Sequence, residues 1–472
     1  MNKTYTNRKV TIGRETKKVT QENKKIAITV GVFFDGTLNN RFNYKLYKWT
    51  TNKKEKKKIG KLGDSYQNTY SNVAQLWASY DISKIRNHVK VYIEGPGTWG
   101  GKRVGQDTGQ NEEGLASSRI GDLLGLKGAA TGMGLSGVNA KIAKACLTIS
   151  KKIKTITQNK EVIVTEIRFD VFGFSRGAAA ARSFVSRMFS ATGATEGFIT
   201  SLKRKLNGSP FANTQFTVRF MGLFDTVSSY GMSFSNDVED LQLKIPNGKY
   251  PKVEKVVHLV AADEYRALFA LTDITSARTR GTEIILPGAH SDVGGGNKEV
   301  EFEKYFMSGP NNWGEGKCRG YLSFKELKEG RWIPKAEAER LENIRDFNGP
   351  EVLSIYASNL GRNVYTQYSR IPLQIMHSFA KEKGMKVIPA VWDYVSTLYD
   401  SSLQSLCRDL SRLALQGKSI YRRDQRGVPY IPDSDPIKQK VLNIRFRYIH
   451  LSAKSWSTNY AAPDNVRTIH LG

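Results

Sequence analysis

The stretch FDVFGFSRGAAAARSF, residues 169–184, decides how the rest of this chain is read. It passes from bulky apolar residues into Gly173-Phe174-Ser175-Arg176-Gly177 and then directly into four alanines. The apolar run reads as a strand, the glycines as a tight turn and the alanines as a closely packing helix. This is the context of a nucleophile elbow, G-x-S-x-G, in which strained backbone angles present a serine at the amino end of a helix. There the helix dipole favours developing negative charge, so Ser175 is the candidate nucleophile. Gly173 and Gly177 keep side chains out of the turn, and the backbone N–H of Arg176 faces the site. The pentapeptide alone is weak; the strand before it and the helix after it give it weight.

Working outward, five more apolar, β-branched runs resemble strands buried on both faces: IAITVGVFF (26–34), VKVYIE (89–94), FTVRFMGLF (216–224), VEKVVHLVAA (253–262) and TEIIL (282–286). The stretches NVAQLWASY and KIAKACLTISKKI between them have helical spacing. Strands alternating with helices predict a doubly wound α/β fold, a mostly parallel sheet with helices on both faces. Residues 1–25 are basic and without periodicity, which predicts an arm or edge extension. The main body is expected over 26–300, and a helical C-terminal region over 301–472. There VWDYVSTLYDSSLQSLCRDLSRLAL predicts one long amphipathic helix, packed on the core or serving as a lid or membrane-docking part. FRYIHL reads as a strand, the lysine run TTNKKEKKKIGKLGD (50–64) as a solvated loop, and GLKGAATGMGLSG (125–137) as a close-approach loop or short helices.

The chain has 472 residues and a formal net charge of +28, a field that concentrates polyanions at its surface. Nucleic acid, anionic lipid and acidic protein are all open on charge alone. The three cysteines are far apart and show no zinc or disulfide spacing, so they are expected to be reduced and silent. The basic N-terminal stretch lacks an apolar core segment, which predicts a chain made in the cytoplasm without a cleaved leader.

A serine nucleophile needs a base, and the base an orienting acid. The chain has six histidines, and the order Ser, acid, His removes His88. His290, in LPGAHSDVGGG after a strand, is the best base. His258 reads as a core histidine, His377 lies in a helical segment, His470 is nearly terminal and His450 is the reserve. Asp225, where FMGLF gives way to a polar loop, is the best acid. Asp292 is too close to His290 to be the obvious orienter and is expected to fix the glycine turn; Asp263 and Glu264 could build a pocket.

The first strand ends in Asp35-Gly36-Thr37. DGT after a strand is similar to the haloacid-dehalogenase phosphatases, but their nucleophile position is Phe33 here, which excludes an aspartyl phosphate. The better reading is an oxyanion hole from backbone N–H groups near Asp35 and Gly36 together with that of Arg176. Gly95-Pro96-Gly97-Thr98-Trp99-Gly100 formally fits a dinucleotide loop, but no helix follows. Trp99 and its glycines are expected to line a cleft instead.

Read in order, FFDGTLNN, SNVAQL, EGPGT, GFSRGAAAARS, GLFDTV, HLVAADE and PGAHSDVGGG resemble the type VI secretion phospholipase effectors of the first Tle class. The resemblance covers about residues 26–300 closely and the remainder loosely. It implies an α/β-hydrolase catalytic domain and a phospholipase A acting through Ser175 as nucleophile, Asp225 as acid and His290 as base, with no metal or other cofactor. It also implies membrane phospholipids at an anionic bilayer surface as substrate, delivery by an injection machine into a target cell's periplasm, a spike protein or adaptor as carrier, and an immunity protein. Nucleic acid is not an expected partner. A general carboxylesterase or lipase is the closest alternative. A non-catalytic basic module for membranes or nucleic acid would account for the charge but not for the ordered Ser, Asp and His motifs.

Overall fold

The computed structural model describes residues 5–12, 15–22, 24–83, 87–98, 137–158, 162–188, 213–230, 235–236, 238, 241–249, 252–305, 322–344, 360–453 and 460–472. The stretch 125–136 and Trp99 lie outside these residues. All six apolar runs are strands: β3 (Lys24–Phe34), β4 (His88–Ile93), β5 (Val162–Phe174), β6 (Gln215–Phe224), β7 (Val256–Ala261) and β9 (Gly281–Leu286). They pair in parallel in the order β9-β7-β6-β5-β3-β4, with the short Lys252–Val253 added beside β6. Buried strands need apolar side chains on both faces, which is why their sequence shows continuous runs and not alternation. The expected α/β-hydrolase-like sheet with helices on both faces and a helical C-terminal part is therefore what the chain forms.

The sheet order sets where chemistry can sit. From β3 the chain crosses to β4 on one side and then returns to β5 on the other. The crevice at the carboxyl ends of β3 and β5 is thus a topological switch point, where ligands of open α/β sheets bind. The helix α5 (Arg176–Ser186) starts there, directly after β5.

Side chains alternate across the sheet into two cores. Ile28, Val30, Val32 and Phe34 of β3 join α4 (Val138–Thr157) and α5 on one face. Phe33, Phe172, Phe220 and Leu259 join α3 (Asn72–Ser79) and the C-terminal helices α7 (Arg370–Glu382), α9 (Ser401–Leu415) and α10 (Lys438–Tyr448) on the other. Gly222 of β6 admits Met376 of α7, whose Sδ would lie 2.7 Å from a Cβ placed there. Glu94, after β4, is buried between Lys141 and Lys144 of α4 at 2.8 and 2.7 Å, which ties that helix to the sheet edge.

Several local expectations are corrected. The N-terminal arm is an antiparallel hairpin, β1 (Tyr5–Ile12) with β2 (Glu15–Glu22). The lysine run carries a helix, α2 (Lys53–Gly60), capped by the Asn52 side chain, which accepts from the N–H groups of Lys54 and Glu55. Its predecessor is α1 (Arg41–Trp49). The single long amphipathic helix is two: α8 (Pro389–Ser396) ends before Asp400, whose carboxylate caps α9 by accepting from Ser402 and Leu403 N–H. Capping competes with helix continuation, and the Asp-Ser-Ser sequence favours the cap. FRYIHL is not a strand, since Phe446–Tyr448 close α10.

Candidate active site

Ser175 sits between β5 and α5 with φ 58° and ψ −129°, the strained conformation expected of an elbow. Two backbone bonds hold it against the end of β6: its N–H donates to Phe224 O at 3.0 Å, and its carbonyl accepts from Val227 N–H at 3.4 Å. The flanking glycines are sterically required. A Cβ on Gly173 would lie 2.5 Å from Ala178 Cα, and one on Gly177 would lie 2.2 Å from Asp35 O. The elbow is therefore wedged directly against the end of β3.

Asp225 follows β6, buried, with φ 42°. Its N–H donates to Leu259 O at 2.8 Å, turning the chain so that the carboxylate points to the next strand end. His290 opens the short helix α6 (His290–Gly294) after β9. Its Nδ1 lies 2.5 Å from Asp225 Oδ2, and with Nδ1 protonated the lone pair of Nε2 is left on the opposite edge of the ring. The ring is walled by Phe174 at 4.7 Å and Phe269 at 5.0 Å. Among the described residues neither His290 Nε2 nor Ser175 Oγ makes a hydrogen bond. The candidate acid and base are thus joined, and Ser175 is buried beside Phe174 at the start of α5.

Electrostatics follow from this packing. Burial acts to raise the Asp225 pKa, but Arg467 and His290 outweigh it and hold the carboxylate well below its ordinary range. Burial lowers the His290 pKa, with Asp225 opposing, which favours the neutral ring that a general base requires. The His290 N–H donates to Glu264 Oε2 at 3.3 Å, and Glu264 is clasped in turn by Arg266, whose Nη2 lies at 2.7 Å. The expected pocket role of Glu264 becomes the support of the helix start that carries the base.

The remaining predicted residues are distributed around this centre. Asp292 fixes the glycine turn as expected: its Oδ2 accepts from Ala289 N–H at 2.9 Å, and Gly288, at φ 110°, is pressed against its Cβ. Its Oδ1 lies 2.6 Å from His450 Nδ1. Burial opposes charge on His450, but the Asp292 carboxylate outweighs it and the pKa is raised. The reserve base is thus committed to a buried pair. His258 is a satisfied core histidine, accepting from Thr226 N–H at 3.0 Å through Nε2 and meeting Glu283 at 2.9 Å through Nδ1. Asp263 accepts from Gly288 N–H at 2.7 Å.

The oxyanion expectation needs correction. The Asp35 N–H donates to Ile93 O at 2.9 Å, and that of Gly36 to Asp35 Oδ1 at 2.8 Å, so both are engaged inside the loop. Asp35 itself is a buried hub that accepts from Ser71 Oγ at 2.5 Å and Tyr92 OH at 2.6 Å; burial outweighs these bonds and pushes its pKa up to about 6. The open donors on this loop belong to Thr37, whose N–H has no partner among the described residues and whose buried Oγ1 is unpartnered. Arg176 begins α5, and burial pushes its guanidinium down to about 10.

Two glycine motifs turn out to share one neighbour, the Phe174 ring. A Cβ on Gly36 would meet it at 2.4 Å and one on Gly294 at 2.0 Å. Gly95 packs on Gly36, where a Cβ would lie 1.6 Å from the carbonyl oxygen, so it supports the Asp35–Thr37 loop instead of lining a cleft. Sequence reasoning missed Arg467 altogether. Its Nη1 and Nη2 donate to Asp225 Oδ1 and Oδ2 at 2.7 and 2.9 Å across 242 positions of chain, and no motif surrounds it. Among the described residues no three His, Cys, Asp or Glu side chains converge as a metal site would require.

With the geometry in place, comparison with known proteins is informative. Residues 201–313, a span holding Asp225 and His290, match the family model "T6SS, Phospholipase effector Tle1-like, catalytic domain". No curated protein sequence matches. Among solved structures, that of a Tle1 effector bound to the VgrG spike of the type VI secretion system aligns over 100% of both chains, with a TM-score of 0.57 and 20% identity. An uncharacterized protein from Pseudomonas aeruginosa aligns over 82% of this chain and 51% of its own, with a TM-score of 0.41 and 20% identity. In sequence over the matched segment, and in fold over the whole chain, the protein is similar to the Tle1-like phospholipase effectors of type VI secretion.

Proposed function

We propose that the protein is a serine-dependent phospholipase A that hydrolyses acyl esters of membrane glycerophospholipids, and that it acts as an antibacterial type VI effector. The observation that carries this reading is the buried Asp225–His290 pair beside a strained Ser175, the three residues standing at the carboxyl ends of β6, β9 and β5. Neutral His290 takes the Ser175 hydroxyl proton through Nε2 as Oγ attacks the fatty-acyl carbonyl. The tetrahedral oxyanion is met by the N–H and Oγ1 of Thr37 and by the N–H of Arg176 at the start of α5, whose dipole adds to the stabilisation. Imidazolium then returns its proton to the lysolipid oxygen. The acyl-enzyme forms, and a water activated by His290 releases the fatty acid and restores Ser175.

The surface supports a lipid interface as the place of work. Beyond Thr37 the chain enters α1 and α2, where Trp49 is 71% exposed and Lys53, Lys54, Lys57 and Lys58 stand in solvent. Tyr394 of α8, close to Tyr44 and Tyr70, is 67% exposed. Delivery is proposed to be to a target cell's periplasm, on a spike protein or through an adaptor, with an immunity protein guarding the producer. No described helix is long and apolar enough to cross a membrane.

The deciding experiment measures fatty-acid release from phosphatidylethanolamine and phosphatidylglycerol vesicles by wild type and Ser175→Ala. The expected result is loss of at least about 1,000-fold in the variant. Equal release by the two proteins removes the serine mechanism, and hydrolysis confined to short soluble esters makes the protein a general carboxylesterase.

A further inference from the structure

We propose that Arg467 is the positioning residue for the candidate catalytic acid, delivered by a strap near the end of the chain that the nucleophile's own helix helps to anchor. The inference rests on the Ser175–His290–Asp225 reading above and deepens it. A carboxylate that only orients a histidine needs one good acceptor contact, and its second oxygen usually finds backbone N–H groups. Among the described residues Asp225 takes a single backbone N–H, from Ala261 at 2.9 Å, and besides His290 meets the two-pronged guanidinium of Arg467. Two parallel bonds fix the carboxylate plane as well as its position, which one bond cannot do. All four acceptor directions are then used: His290, Ala261 and the two Arg467 nitrogens.

The guanidinium is held from a third side, since its Nε donates to Phe269 O at 2.7 Å. Phe269 is the residue whose ring walls His290. One side chain therefore sets both the acid and a wall of the base. Its backbone is placed by parallel pairing of β10 (Ile469–His470) with β8 (Leu271–Thr272), reinforced by Leu271 N–H donating to Thr468 O at 2.9 Å and Asp273 N–H to His470 O at 3.0 Å. Arg182 of α5 is fully buried and donates from Nη1 to the carbonyls of Thr272 and Asp273 at 3.0 and 2.7 Å. Strap and elbow thus share an anchor. A cavity of about 240 Å³ is lined in part by Glu264, Asp464, Asn465 and Arg467 itself.

The fixed cation also acts on the base. The cation that directly opposes protonation of His290 is Arg266, against Asp225 and Glu264, which favour it; Arg467 acts through Asp225, whose carboxylate it holds ionised, and removing it leaves that carboxylate as an uncompensated anion beside the ring. A group that only held the strap in place would not move the titration of His290, so the pH profile separates positioning from scaffolding. The cavity supplies a second readout, because exogenous guanidinium can enter where the side chain has been cut back.

The test measures kcat and KM across pH on a soluble acyl ester for wild type, Arg467→Ala and Arg467→Lys, with and without added guanidinium, using urea as the uncharged control. For Arg467→Ala the expected result is a fall in kcat of about 100-fold with little change in KM, and an acid limb moved to higher pH by about one unit. Guanidinium, and not urea, recovers part of both. Arg467→Lys keeps the charge but not the fork, so kcat falls while the acid limb stays in place; this variant decides the matter if the alanine variant does not fold. A folded Arg467→Ala protein with wild-type kcat and acid limb overturns the proposal. So does a loss with no shift and no guanidinium response, or wild-type kcat in Arg467→Lys when the alanine variant is unfolded. Wild type that neither cleaves ester nor reacts with a fluorophosphonate probe refutes the hydrolase reading instead. In that case the His290 imidazole titration, followed by NMR in wild type and Arg467→Ala and assigned with His290→Gln, still tests the charge coupling.

Discussion

At the residue scale the site is a balance of burial against paired charge. Burial lowers the His290 pKa, and Asp225 limits the effect without reversing it. As the proposed base, His290 would work only when neutral, so activity is expected to be lost as pH falls through a pKa below that of an ordinary histidine. The acid limb of kcat/KM for ester cleavage is therefore expected to be centred below the ordinary histidine value of about 6.5; an acid limb centred above pH 7 contradicts this environment. The same lowered pKa makes the unfolded state bind the extra proton in that window, so His290 adds to acid lability below about pH 6.5. Ser175, Asp225 and His290 could be picked out as candidates because chemistry restricts the residue types and the elbow restricts their order. Thr37 was legible only as part of a loop, because which of its N–H groups stays open depends on bonds to Ile93 and to Asp35 itself.

At the element scale the strand–turn–helix of β5 and α5 depends on close backbone approach. A Cβ at Gly177 would stand 2.2 Å from Asp35 O, a backbone atom that cannot swing aside. Gly177→Ala is expected to destabilise the protein by about 1–3 kcal/mol in urea unfolding and to reduce activity more than its stability loss explains. Gly248→Ala, where a Cβ meets nothing within 4 Å among the described residues, serves as the control and is expected to stay within about 0.5 kcal/mol of wild type. A result in which the two variants match would remove the wedge. The same reasoning explains the helical surprises. The break between α8 and α9 is a capping event at Asp400, and α2 forms in a lysine run because Asn52 caps it and Ile59 is buried beneath it.

At the scale of the whole molecule, the charge of +28 and the lysine face of α2 favour an anionic surface. Reversing Lys53, Lys54, Lys57 and Lys58 to glutamate is expected to weaken binding to phosphatidylglycerol vesicles about 1,000-fold at low salt, each lysine contributing about 1 kcal/mol. Cleavage of a soluble short-chain ester should be unchanged, since none of the four side chains touches the site. Vesicle binding that survives the reversal would move the lipid contact to another face, such as the one bearing Tyr399, which is 70% exposed.

Six strands of the parallel sheet, and the candidates for elbow, acid and base, could be read from the amino-acid order. Both are local: a strand buried on two faces must be apolar along its whole length, and a strained serine turn needs its glycines beside it. Only tertiary structure decided that Gly36 and Gly294 meet on Phe174, that His450 belongs to Asp292, and that Arg467 reaches back to Asp225. Those contacts join segments up to 242 positions apart. Nothing in the period or composition of either segment records its partner, because pairing depends on strand order and on how far the folded chain brings two surfaces together. FDVFGFSRGAAAARSF could therefore announce an elbow, but not the arginine whose strap the helix of that elbow helps to hold.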